Sequence, residues 1–255
     1  MNLIEIENIN LTYHSQKGET EAIKDLSFSV KEGEFISIIG PSGCGKSTLL
    51  NIISGLLDLS GGKIVYNDLN IKNRLDKMGY MFQKDYLFDW LTVWENVVLG
   101  LKIKKLLTKE NIKRVDDLLT NYGLAKFKEH KPSELSGGMR QRVALIRTLA
   151  LNPEVLLLDE PFSALDYQTR LKVCDEVSEI IKNEGKTAIM VTHDLGEAIA
   201  ISSRVICLTS RPAKIKKDIE IKFENTSATP FQRRKEPEFN IYFNELWKEL
   251  DNYNE

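Results

Sequence analysis

Short apolar runs punctuate the chain, and most are uniform rather than alternating. Phe35-Ile36-Ser37-Ile38-Ile39 ends at Gly40, and Val155-Leu156-Leu157-Leu158, Ala188-Ile189-Met190-Val191 and Val205-Ile206-Cys207-Leu208 have the same form. Such runs suit strands that are buried on both faces. Between them lie stretches with helical spacing, among them residues 49–56 and 170–182. Strands alternating with helices predict a parallel α/β sheet. Residues 4–10 and 26–30 alternate apolar with polar positions, which predicts antiparallel strands covering one edge.

The middle of the chain, residues 87–150, has little strand character. Thr108 is placed to cap a helix whose apolar positions Ile112, Val115, Leu119 and Tyr122 run to a stop at Gly123. Beyond Arg211 the parallel pattern fades, and residues 225–229 read as a loop. Pro237 then precedes an amphipathic helix with Phe239, Tyr242, Phe243, Leu246 and Leu250 on one side. The expected organisation is one unit: a core at 1–86 and 151–215, an inserted helical subdomain at 87–150, and a helical tail at 230–255.

Composition narrows the classes. The 255 residues are 42% hydrophobic and 28% charged, with 35 Lys+Arg against 37 Asp+Glu for a formal net charge of −2. That is an ordinary globular balance, without the basic excess of a protein that coats nucleic acid, so no nucleic-acid partner is expected. The longest uncharged apolar candidate, residues 47–57, is too short to span a bilayer. Met1-Asn2-Leu3-Ile4-Glu5 lacks the basic and apolar regions of an export signal, and Cys44, Cys174 and Cys207 are scattered and odd in number. Both point to a reduced, cytosolic setting.

Chemistry enters through three motifs. Gly40-Pro41-Ser42-Gly43-Cys44-Gly45-Lys46-Ser47-Thr48 fits G-x-x-x-x-G-K-[ST] between a buried strand and a helical run. Its glycines let backbone N–H groups curl around phosphate oxygens, and the helix N-terminus adds positive potential. Lys46 then reaches the β- and γ-phosphates, and the Ser47 hydroxyl ligates Mg²⁺. Cys44 sits inside this loop, so a thiol reagent is expected to inhibit and a bound Mg-nucleotide to protect. Val155 to Leu158 deliver Asp159 to the carboxyl edge of the sheet, where it holds Mg²⁺, and Glu160 one step on suits a general base for water. Leu135-Ser136-Gly137-Gly138-Met139-Arg140-Gln141-Arg142 places a serine and two glycines at the head of a helix, a second anion site. One nucleotide has one triphosphate, so this second site is expected to close on the nucleotide of another copy.

Taken in this order, LSGGMRQR between a phosphate loop and LLLDEP resembles the signature of ATP-binding-cassette ATPases along nearly the whole chain. The resemblance implies a P-loop cassette: a mixed α/β sheet core with an antiparallel β edge and an inserted helical subdomain. It implies ATP with Mg²⁺, and it places Tyr13 against adenine. Gln83, in Met81-Phe82-Gln83, corresponds to the glutamine that touches Mg²⁺ and the attacking water. Ser136, Gly137 and Gly138 contact the γ-phosphate across a dimer, Phe162 to Asp166 join the two sites, and His193 is the switch histidine. The implied catalytic group is Glu160, His193, Gln83 and Lys46, with Ser47, Gln83 and Asp159 at the metal.

The resemblance extends to importers for nitrate, sulfonates and taurine, through Asp89-Trp90-Leu91-Thr92-Val93-Trp94-Glu95-Asn96-Val97, Ser210-Arg211-Pro212-Ala213 and the closing helix. Asp89 departs from that group, which usually has proline there. Implied partners are a second copy, integral membrane permease subunits met through the aromatic stretch 87–94, and indirectly an extracytoplasmic solute-binding protein. The implied location is the cytoplasmic face of the membrane. Exporter ATPases and cassettes that act on nucleic acid or ribosomes are the alternatives. The latter carry two cassettes or a long coiled coil, whereas 89 residues without a heptad array separate Lys46 from Ser136.

Overall fold

A computed structural model describes residues 2–16 and 18–251. Two sheets form. Strands β1 (Asn2–Ser15) and β2 (Gly18–Lys31) make a long antiparallel ribbon, with Ile4 opposite Val30 and Leu11 opposite Ile23. After β3 (Phe35–Ile39) and α1 (Lys46–Ile53), β4 (Gly61–Tyr66) joins β1 and β5 (Leu69–Asn70) joins β4, giving the order β2-β1-β4-β5.

β6 (Met78–Met81) then opens the far edge of the second sheet, and three helices follow it: α2 (Val93–Ile103), α3 (Lys109–Asn121) and α4 (Gly137–Leu149). The chain continues through β7 (Val155–Asp159), α5 (Tyr167–Asn183), β8 (Thr187–Val191), α6 (Leu195–Ile201) and β9 (Arg204–Leu208). It closes with β10 (Ile215–Glu220), α7 (Pro230–Arg233) and α8 (Pro237–Asp251). The strand order is β10-β9-β3-β8-β7-β6, parallel from β9 to β6, with β10 antiparallel at the edge.

The uniform apolar runs are explained by what covers each face. In β7, Val155 and Leu157 point into a core shared with α1 and the antiparallel sheet, while Leu156 and Leu158 point into the core built by α2 to α5. β8 divides the same way, Ile189 and Val191 against Ala188 and Met190. Successive side chains of a strand face opposite sides, so covering both faces requires apolar residues throughout. A third core joins Val205 and Cys207 to α6 and to Phe239 and Leu246 of α8, with Tyr242, Phe243 and Leu250 packed beside them.

Several bounds move. β1 and β2 run well past residues 4–10 and 26–30, and α1 begins at Lys46 rather than at residue 49. Thr108 does cap α3, its side chain accepting from the Asn111 N–H. The last residues of the tail, 252–255, lie outside the described residues. Among the described residues no helix is long and apolar enough to cross a membrane.

Candidate active site

β3 ends at the sheet's carboxyl edge, and residues 40–45 turn back over the start of α1. Gly45 caps that helix with φ 119°, backbone closed to most L-residues, and no side chain occupies its first N–H groups. Lys46 is only 6% exposed, and its ammonium donates to the carbonyls of Gly40 (2.8 Å) and Pro41 (3.0 Å). A buried cation hydrogen-bonded to carbonyls, beside helix N–H groups that no side chain caps, fits an incoming phosphate.

Cys44 is buried, and burial pushes its thiol upward in pKa against the pull of Lys46. A shielded, protonated thiol is a poor nucleophile. The labelling expected of thiol reagents at this loop should therefore be slow. Tyr13 is exposed at the end of β1, its hydroxyl 3.2 Å from Thr48 Oγ1, which sets its ring beside the loop's helix.

Ser47 and Asp159 meet where α1 starts and β7 ends. The Ser47 hydroxyl donates to Asp159 Oδ1 at 2.9 Å, and the Tyr80 hydroxyl lies 3.2 Å from Oδ2. Burial raises the Asp159 carboxyl, opposed by those two hydrogen bonds. A hydroxyl and a carboxylate are hard oxygen donors, and a set this small suits Mg²⁺, which retains waters and bridges to phosphate.

Glu160 follows at φ 45°, left-handed backbone that costs a non-glycine residue about 1–2 kcal/mol. Its N–H donates to the Val191 carbonyl (2.9 Å), and its own carbonyl accepts from Ser163 Oγ (3.0 Å), which together hold the turn. The turn aims Oε2 at two partners: Gln83 Nε2 donates to it at 3.1 Å, and His193 Nδ1 lies 3.0 Å away. Two candidate residues, from the segments after β6 and β8, thus converge on one oxygen of a third that directly follows β7. Arg170, on α5, donates to the Leu165 carbonyl (3.0 Å) and faces Asp194 at 3.5 Å, joining the 162–166 loop to the loop of His193.

Ser136 caps α4, its hydroxyl accepting from the Met139 N–H at 3.3 Å. Gly138 has a second role the motif does not announce. A Cβ there would lie 2.8 Å from Val173 Cγ2, so its absence lets α4 pack on α5. A Cβ at Gly137 or Gly138 would meet Leu165, Arg140, Thr169 and Val173, and among the described residues no hydrogen bond joins Ser136 to residues 40–48. Gly138→Ala should cost about 1–3 kcal/mol by overpacking. A fall of several degrees in Tm by calorimetry is expected; an unchanged Tm would contradict this close approach.

α4 also grips the segment after Gln83. Arg140 Nε pairs with Asp85 at 3.1 Å, and Arg147 donates to the carbonyls of Asp85 and Tyr86. Trp90 stands 71% exposed with Phe88 against it at 5.0 Å, whereas Trp94 packs on the helical core. Motif reading gave no site role to Tyr80, to Arg170 or to Arg211, whose guanidinium donates to the Gly43 carbonyl at 2.7 Å. The contacts of Tyr80 with Asp159 and of Arg211 with Gly43 span 79 and 168 residues, which no local pattern announces.

The sequence profile of the ABC transporter family matches residues 23–163. The chain belongs to that family. An uncharacterized ABC transporter ATP-binding protein of Bacillus subtilis is 46% identical over 251 residues, 98% of this chain and 96% of the relative. A taurine import ATP-binding protein of Roseobacter denitrificans is 41% identical over 239 residues, 92% of this cassette and 89% of the relative. A solved dimeric ATP-binding cassette, in a post-hydrolysis state bound to ADP and phosphate, superposes with a TM-score of 0.72 at 34% identity, covering 86% of this chain and 99% of that one. The protein is an ABC-type P-loop cassette that binds ATP, and an ATPase.

Proposed function

We propose that this cassette energises an importer for a small anionic or zwitterionic solute, such as taurine, an aliphatic sulfonate, nitrate or a related compound. The observation that carries the catalytic part is the convergence of Gln83 and His193 on Glu160 Oε2, one peptide beyond the Ser47–Asp159 pair. In this reading residues 40–48 cradle the triphosphate, Tyr13 supports the adenine, and Lys46 turns from the Gly40 and Pro41 carbonyls to the phosphates. Magnesium, held by Ser47 and Asp159 with Gln83 nearby, would neutralise phosphate charge. Glu160 accepts the proton of the attacking water, and Gln83 and His193 fix its carboxylate.

Ser136, Gly137 and Gly138 complete the site of a second copy, arranged head to tail in a homodimer with two composite sites. The core at 1–86 and 151–215 and the helical subdomain at 87–150 work against each other, tied at Asp85 by Arg140 and Arg147. The exposed Trp90 and Phe88 offer a docking surface for membrane permease subunits, which place the dimer at the cytoplasmic face of the membrane. A solute-binding protein on the far side would select the cargo.

Co-expression with a membrane permease encoded beside the cassette's gene tests this. The cassette is expected to co-purify with it, and Trp90→Ala to weaken that association while leaving the fold's Tm unchanged. ATPase activity of the complex should rise several-fold with the solute-loaded binding protein. A cassette that never associates with the permease would overturn the transport reading.

A further inference from the structure

We propose that Tyr80 is a positioning residue of the ATPase site, holding the Asp159 carboxylate in the orientation that meets Mg-ATP. The proposal rests on the assignment of Asp159 to the nucleotide's metal. Strand register puts Tyr80 where it can act: β6 pairs with β7 so that Tyr80 lies opposite Leu157, and Leu157 shares a face with Asp159 two residues on. The Tyr80 hydroxyl is 3.2 Å from Asp159 Oδ2 and 3.1 Å from the Asn51 side-chain amide on α1.

A phenol has one proton and two lone pairs. Asp159 Oδ2 and Asn51 Oδ1 both lie where that proton can be accepted, and the carboxylate is the stronger acceptor, so the proton goes to Asp159. Asp159 is then held from two sides, Oδ1 by Ser47 and Oδ2 by Tyr80. A hydroxyl that turns a lone pair to a metal keeps its proton for Oδ1, so Ser47 and Tyr80 together fix the carboxylate plane, Ser47 from the metal side and Tyr80 from the strand side. Tyr80 also contacts Phe82 at 4.5 Å, next to Gln83, so the end of one strand orients both acidic positions: Asp159 through Tyr80 and Glu160 through Gln83.

Tyr80→Phe keeps the ring and removes only the hydroxyl. Binding of a fluorescent ATP analogue is measured with Mg²⁺ and with EDTA, alongside Asp159→Asn and Asn51→Ala. For Tyr80→Phe the Mg²⁺-dependent affinity should fall about five- to tenfold, the change expected for one lost hydrogen bond. Affinity in EDTA should stay within about twofold, and the Mg²⁺ concentration for half-maximal ATPase activity should rise in parallel. Asn51→Ala, which removes the competing acceptor, should leave the Mg²⁺-dependent affinity within about twofold of the parent. A purely structural tyrosine would lower Tm and weaken both affinities equally, which would overturn the proposal. If Asp159→Asn alone moves the Mg²⁺ dependence, Tyr80 is not the anchor. If neither variant moves it, the assignment of Asp159 to the metal falls as well.

Discussion

Glu160→Gln is expected to bind ATP as tightly as the parent protein and to hydrolyse it about 10²–10⁴ times more slowly, the range over which a positioned general base contributes. The substitution isolates the proton-accepting role. A glutamine oxygen still accepts from Gln83 Nε2 at the place where the carboxylate now does, 3.1 Å away, so the turn at residue 160 keeps its inward contact. Its backbone anchors, to Val191 and from Ser163, do not involve the side chain. What disappears is the ability to take a proton from water. Steady-state phosphate release together with equilibrium nucleotide binding checks this. Turnover near the parent rate would remove Glu160 from the base role and leave the His193–Glu160 contact as structure only.

Ser136→Arg addresses the other half of the site. Ser136 is exposed at the head of α4, where its hydroxyl accepts from the Met139 N–H. A bulky cation there leaves the chain's own phosphate loop untouched, so ATP affinity of the isolated protein should change by less than about twofold. Loss of the cap costs about 1 kcal/mol, enough to lower Tm slightly without unfolding the chain. ATPase activity, in contrast, should fall about a hundredfold or more, the loss typical when a preorganised donor to the reacting group is removed. Ser136→Gly, which preserves a tolerable cap, separates the two effects: Tm should recover while activity stays impaired. Unchanged activity in both variants would contradict a site shared between copies.

Sequence and structure agree most closely where one physical demand acts on neighbouring residues. β3, β7, β8 and β9 are legible because both faces of each are covered, which enforces a contiguous apolar run. The phosphate loop is legible because its glycines, lysine and hydroxyl serve one ligand within nine residues. Asp159 follows from its place at the end of such a strand. Legibility fails where the demand comes from far along the chain. β6 carries Gly79, a poor strand residue, yet a Cβ there would lie 2.6 Å from Thr148 Cγ2 of α4. β4 opens with Gly61 and Gly62, and a Cβ on Gly62 would strike the Asn8 carbonyl at 2.4 Å. Both strands are set by close approach rather than by propensity.

The site shows the same division. Nothing local announces that Glu160 takes a left-handed backbone, since glutamate rarely does so, and the turn is imposed by Val191 and Ser163. Gly138 reads as part of an anion site, while its packing against Val173 depends on how α4 meets α5. Cys44 reads as an accessible thiol in an open loop; the fold closes over it. Tyr80 sits 79 residues from Asp159, and only the pairing of β6 with β7 brings them together.

The most direct test of a composite ATPase site is the sedimentation of Glu160→Gln with and without Mg-ATP. The protein should sediment as a monomer without nucleotide and as a dimer at saturating Mg-ATP, and the double variant Glu160→Gln with Ser136→Arg should remain monomeric under both conditions. A Glu160→Gln protein that stays monomeric while saturated with Mg-ATP, or a double variant that dimerises as readily, would contradict the shared site.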